Sequence, residues 1–129
     1  MSELQGGEMS IYNLEKYGLN SFKVLTNAVD EINDGLIFYI NKDWSKITDD
    51  GYMFNELKLM SNKLSVNKCI ELCKSFSHFY FCDFDEETEE IYKKLSPELN
   101  LDDVVMEMIQ TCTAISTIIN YERIGKSND

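Results

Sequence analysis

The chain has 129 residues, 43% of them hydrophobic and 27% charged, with 23 acidic against 12 basic side chains and a formal net charge of −11. That length and apolar share suit one folded domain with its own core and exclude an acidic disordered tail. The charge argues against direct nucleic acid binding, which needs Lys and Arg to displace counterions, and against anionic membrane surfaces.

Residues 1–9, with Gly6-Gly7 and few apolar groups, read as a flexible N-terminal leader, and 10–129 as a single helical domain. No basic segment followed by an apolar run opens the chain, and no stretch is long enough to span a bilayer, so a cytoplasmic location is expected. Ile11, Leu14 and Tyr17 predict a short helix stopped by Gly18. Phe22, Leu25, Ala28, Val29 and Ile32 recur at helical spacing and predict a second helix from Ser21. Asn33-Asp34-Gly35 is a turn signal, and residues 36–40 are five consecutive apolar residues that fit either a buried strand or buried helical turns.

Residues 42–50 read as a polar loop holding Trp44. Met53, Leu57, Met60 and Leu64 then predict a one-faced helix, and Ser65 a cap for the next, in which Val66, Ile70 and Cys73 share a face closed by Ser77. Asp83 is the expected cap of a helix with Phe84, Thr88, Ile91 and Leu95 inward, ended by Ser96-Pro97. Asn100 caps the last helix, whose seam is Leu101, Val105, Met108, Cys112, Ile115 and Ile119, with Gly125 just past its end. The expected fold is mainly α, a compact bundle of five or six helices; the alternative is α+β with short strands near 36–40 and 79–82.

Between Asp83 and Glu107 lie ten carboxylates against two lysines, Lys93 and Lys94, so this segment holds −8 of the net charge. A helix there would project Asp83, Asp85, Glu86, Glu87, Glu89 and Glu90 outward or to its margins, suited to Lys and Arg on another protein. The same residues also suit a merely solvated helix: acids near the N-terminus complement the dipole, and Glu89–Lys93 and Glu90–Lys94 are i,i+4 pairs. Trp44 is a second contact candidate, since tryptophan anchors many interfaces.

Other constellations are weaker. Glu86-Glu87-x-x-Glu90 resembles the first half of the helical motif of the all-α nucleotide pyrophosphohydrolases, which implies magnesium held on one helical face. The second half, Glu-x-x-Asp, has no match downstream, where Glu98 is followed by Asp102 at four residues; Glu31-x-x-Asp34 lies upstream, in the wrong order. Cys69, Cys73, His78 and Cys82 have zinc-ligand chemistry but no knuckle, so the four cysteines (Cys112 included) read as reduced core residues. Residues 30–41 fail as a calcium loop because Ile32 and Asn41 stand where ligands belong.

The expectation is a non-enzymatic acidic inhibitor, without metal or cofactor, that occludes a basic protein through Asp83, Asp85, Glu86, Glu87, Glu89, Glu90 and Trp44. Its overall composition resembles that of bacterial immunity proteins, which implies an immunity protein or antitoxin neutralising a nuclease toxin. The alternative is a dimeric adaptor or chaperone binding through an apolar groove with Met53, Met60, Met106 and Met108 as candidates, and after it the magnesium-dependent hydrolase. Oligomeric state is not legible in the sequence.

Overall fold

The structure, a computed structural model, describes residues 11–29, 35–60 and 63–127. The expected leader at 1–9 and the turn at 33–34 lie outside the described residues. In chain order the elements are β1 (Tyr12–Tyr17), β2 (Ser21–Val29), β3 (Gly35–Asn41), β4 (Lys46–Thr48), α1 (Tyr52–Met60), α2 (Val66–Phe79), β5 (Asp83–Asp85), β6 (Glu90–Lys94) and α3 (Leu101–Ser127). The strands form one antiparallel sheet in the order β1-β2-β3-β4-β6-β5. The fold is therefore α+β, and the bundle of five or six helices is overturned.

Residues 12–17 and 21–29 show why; residues 30–32 of the expected second helix lie outside the described residues. Alternation along β2 sends Phe22 and Val24 to the core face and Lys23 and Leu25 to the other, and Val24 is fully buried. Phe22 and Ala28 fit a helical stripe as well as a strand, so local spacing misleads until β3 supplies the pairing. β3 resolves the ambiguity at 36–40 in favour of a strand, with Leu36, Phe38 and Ile40 inward. A bulge interrupts the β2–β3 register between Leu25 and Val29, and there the Thr26 hydroxyl donates to the Leu36 carbonyl at 2.7 Å. The expected loop at 42–50 contains β4.

The expected helix from Asp83 is a hairpin. Phe84 pairs with Ile91 and Asp85 with Glu90 across β5 and β6. Asp85 turns the chain: its Oδ1 accepts from the N–H of Glu87 at 2.8 Å and of Thr88 at 3.3 Å. The i,i+4 pairs are replaced by long-range ones, Glu89–Lys58 at 3.6 Å, Glu90–Lys46 at 3.1 Å and Lys93–Glu107 at 3.1 Å. The strand expected near 79–82 is not one either; Phe79 ends α2 and a turn follows.

The three helices begin where their periodicity and caps put them, but two of their ends differ: α1 is Tyr52–Met60, with Leu64, its expected end, in a bend, and α3 passes the stop expected at Gly125. Ser65 accepts from the Lys68 N–H at 3.1 Å, and Asn100 Oδ1 accepts from the Asp103 N–H at 3.2 Å. α3 continues through Gly125 to Ser127. All three helices cover one face of the sheet, where Met53, Phe54, Leu57, Cys69, Cys73, Val105, Met108, Cys112 and Ile115 pack with Val24, Phe38, Ile40, Ile47 and Ile91. On the other face Lys23, Tyr39, Thr48 and Tyr92 form a cross-strand row. No helix of the described residues is long and apolar enough to cross a membrane.

The end of α2 is a Schellman turn: the Cys82 N–H donates to the Ser77 carbonyl at 2.7 Å and the Phe81 N–H to the His78 carbonyl at 3.1 Å. Phe81 occupies the left-handed position usually given to glycine, at φ +67°, with its side chain 71% exposed. Phe81→Gly is expected to stabilise the chain by about 0.5–1 kcal/mol, read by urea unfolding, because a left-handed bulky residue costs about 1–2 kcal/mol. Ser77, read from sequence as the polar edge of α2, is fully buried, and its hydroxyl has no hydrogen-bond partner. Ser77→Ala is expected to raise stability by about 1 kcal/mol in the same assay.

Candidate functional site

Thr48-Asp49-Asp50-Gly51 links the end of β4 to α1, and the Asp49 side chain does most of the linking. Asp49 is 3% exposed. Its Oδ1 accepts from the N–H of Gly51 at 2.9 Å and of Ile91 at 3.0 Å, while Oδ2 accepts from the Met53 N–H at 3.0 Å. Its own N–H donates to the Ile91 carbonyl at 3.0 Å, and its carbonyl accepts from the Tyr52 N–H at 3.2 Å. One residue therefore caps α1 and ties it to β6. Burial pushes the Asp49 carboxyl up to about 6; the three N–H donors work against that rise and the nearby charge of Glu90 adds to it.

Two turns meet beside this linkage. Asp50 and Gly51 are left-handed at φ +59° and +82°, and opposite them Glu89 is left-handed at φ +63°. A Cβ on Gly51 would stand 3.4 Å from the Glu89 carbonyl oxygen, an ordinary contact, so the two turns touch, and it is the φ of +82° that makes glycine the unstrained residue here. With the outer face of β3 they enclose a cleft of about 700 Å³, walled by Ile37, Tyr39, Asp50, Tyr52, Asn55 and Glu89. The Tyr39 phenol is raised above the usual tyrosine range by burial first, then by the neighbouring Tyr17 and the charge of Asp50. No lysine pairs with Asp50 among the described residues.

Of the acidic residues singled out by sequence, only Glu89 lines this cleft. Glu90 lies beside it on β6, held by Lys46. Glu86 and Glu87 are exposed in the β5–β6 turn, Glu86 bound to Lys74 at 2.6 Å. Asp85 is committed to that turn. Asp83 is exposed at the far end of β5. Trp44 sits apart, in the β3–β4 turn at φ +56°, with its ring 5.1 Å from that of Phe22. The six acids thus do not form one helical stripe, and Glu86, Glu87 and Glu90 do not share a helical face for magnesium. Among the described residues no group of three or more His, Cys, Asp or Glu converges to hold a metal ion.

The residues that sequence reasoning missed are Tyr39, Asp49 and Asp50. A signal was present: Asp49-Asp50-Gly51, acidic acceptors and a glycine, stands directly ahead of the stripe that begins at Met53, but a reading of 42–50 as loop passes over it.

The family model described as "Domain of unknown function DUF1828" matches residues 26–115, a span that runs from β2 into α3 and includes every residue of the cleft. No curated protein and no solved structure gives a significant match to the chain.

Asp49 makes stability depend on pH with a definite sign. Its folded pKa, about 6, lies above the ordinary 3.8, so the folded state holds the proton more tightly and this group's contribution is full below about pH 4 and lost as pH rises through 6. The stability of the wild type relative to Asp49→Asn is expected to fall by about 3 kcal/mol between pH 4 and pH 7. Paired urea unfolding curves across that range measure it. A constant difference would mean that Asp49 titrates normally.

Proposed function

The chain belongs to the DUF1828 family, and from that premise we propose that it is a non-catalytic, cytoplasmic acidic protein that occludes a basic partner, as an immunity protein or antitoxin does to a nuclease toxin. A nuclease must carry cationic groups to hold phosphates, so it is a natural complement to a chain of −11 charge. The observation that carries this reading is that Asp50, Asp83 and Glu87 have no cation paired with them among the described residues, although Glu86, Glu89 and Glu90 each engage a lysine. Exposed carboxylates without an internal partner are open to an external one, and a net anionic field speeds its capture.

The adaptor alternative loses two of its methionines, since Met53 and Met108 are core at 1% and 0% exposure. Another observation favours apolar docking: Phe79 and Phe81 stand 70% and 71% exposed at the end of α2.

The test is an affinity pull-down from the cell of origin at about 50 mM and again at about 500 mM salt, a range that shortens the screening length severalfold. One basic protein retained at low salt is expected, weakened about tenfold or more at high salt and by the combined change Asp83→Asn, Glu86→Gln and Glu87→Gln. Retention indifferent to both salt and these substitutions would transfer the function to Phe79 and Phe81, with Phe81→Gly as the variant that loses the partner.

A further inference from the structure

The cleft has a composition that selects its occupant. Two tyrosines, Tyr39 and Tyr52, and two carboxylates, those of Asp50 and Glu89, line one concave site. Aromatic faces attract organic cations, and a carboxylate beside them supplies a charge-assisted hydrogen bond. The N-terminus of α1 borders the cleft and by itself would favour an anion, but the Asp49 carboxylate already takes the N–H groups of Gly51 and Met53. What remains directed outward is negative. Of the two outward carboxylates, Glu89 is engaged by Lys58 at 3.6 Å, a long contact on a side chain 47% exposed, whereas Asp50 has no such lysine among the described residues.

We infer that this cleft receives an arginine side chain of the basic partner, its guanidinium set against Tyr39 and Tyr52 and hydrogen-bonded to Asp50. Arginine is preferred to lysine because a planar guanidinium stacks on tyrosine while its N–H fork meets a carboxylate. The volume, about 700 Å³, admits the side chain together with the backbone that carries it. The proposal rests on the reading of the chain as a binder of a basic protein, and it identifies the cleft, rather than the β5–β6 turn alone, as the place where that partner is anchored. The left-handed backbone supports a clean test: asparagine tolerates φ +59° as aspartate does, so Asp50→Asn removes charge without disturbing the turn.

The experiment titrates acetyl-arginine-amide into the full chain and follows backbone amide resonances by NMR, with acetyl-citrulline-amide as the neutral counterpart. Saturable shifts at Gly51, Tyr52 and Asn55 are expected. Binding should weaken about tenfold or more with citrulline, with Asp50→Asn and with Tyr39→Leu, the scale of one lost charge-assisted contact, and remain unchanged in Glu71→Gln, an exposed acid of α2. Shifts that do not saturate, or equal binding of citrulline, would overturn the inference. A second arm repeats the pull-down with Asp50→Asn. A basic partner still retained in full overturns the cleft as its anchor and leaves the broader reading standing. Saturable arginine binding with no basic partner captured at any salt overturns the protein partner and assigns the cleft to a free guanidinium compound.

Discussion

The Asp49 carboxylate accepts backbone N–H groups from two separate elements, Gly51 and Met53 at the start of α1 and Ile91 in β6. Ile91 is far along the chain, beyond α1, α2 and β5, so this side chain closes a long loop as well as capping a helix. An ionised carboxylate is suited to the task because it offers two acceptor oxygens, and here both are used. The alternative, three buried N–H groups without partners, would cost about 1–3 kcal/mol each. The positions of Asp50, Gly51 and Glu89 follow from this linkage, since the turn that carries Glu89 leads directly into β6.

Left-handed backbone outside glycine is confined to four described residues, Trp44, Asp50, Phe81 and Glu89. Each is held by its surroundings. Trp44 packs on Phe22 while Asn41 Oδ1 accepts the N–H groups of Ser45 at 2.9 Å and Lys46 at 3.0 Å. Glu89 closes the hairpin through its N–H to the Asp85 carbonyl at 2.7 Å. Phe81 is fixed by the turn that ends α2. Two of the four, Asp50 and Glu89, line the same cleft.

Charge follows a similar division. Lys46, Lys58, Lys74 and Lys93 each pair with an acid from the segment after Asp83. Pairs at the surface contribute little individually, commonly under about 1 kcal/mol. Their larger effect is on location, because they neutralise part of the β5–β6 hairpin, while Asp50, Asp83 and Glu87, like Glu15, Glu98 and Asp103, have no paired cation among the described residues. In the proposed reading, a basic partner would meet both a long-range anionic field and a few specific carboxylates, one of them beside aromatic walls.

The amino-acid sequence determined the three helices, their caps at Ser65 and Asn100, the four buried thiols and the acidic excess, all of which depend on near neighbours or on composition. It did not reveal β1, β2 and the β5–β6 hairpin, whose residues are compatible with helical spacing and, in 83–95, have good helix-forming composition. Strands become stable only when pairing partners remote in the chain accept their hydrogen bonds, and β6 finds its neighbour in β4 across the whole of α1 and α2. The cleft is a product of that pairing. Asp50 and Glu89 are nearly forty residues apart in sequence, and the β4–β6 pairing with the Asp49–Ile91 linkage brings their turns together, so no local pattern could disclose the site.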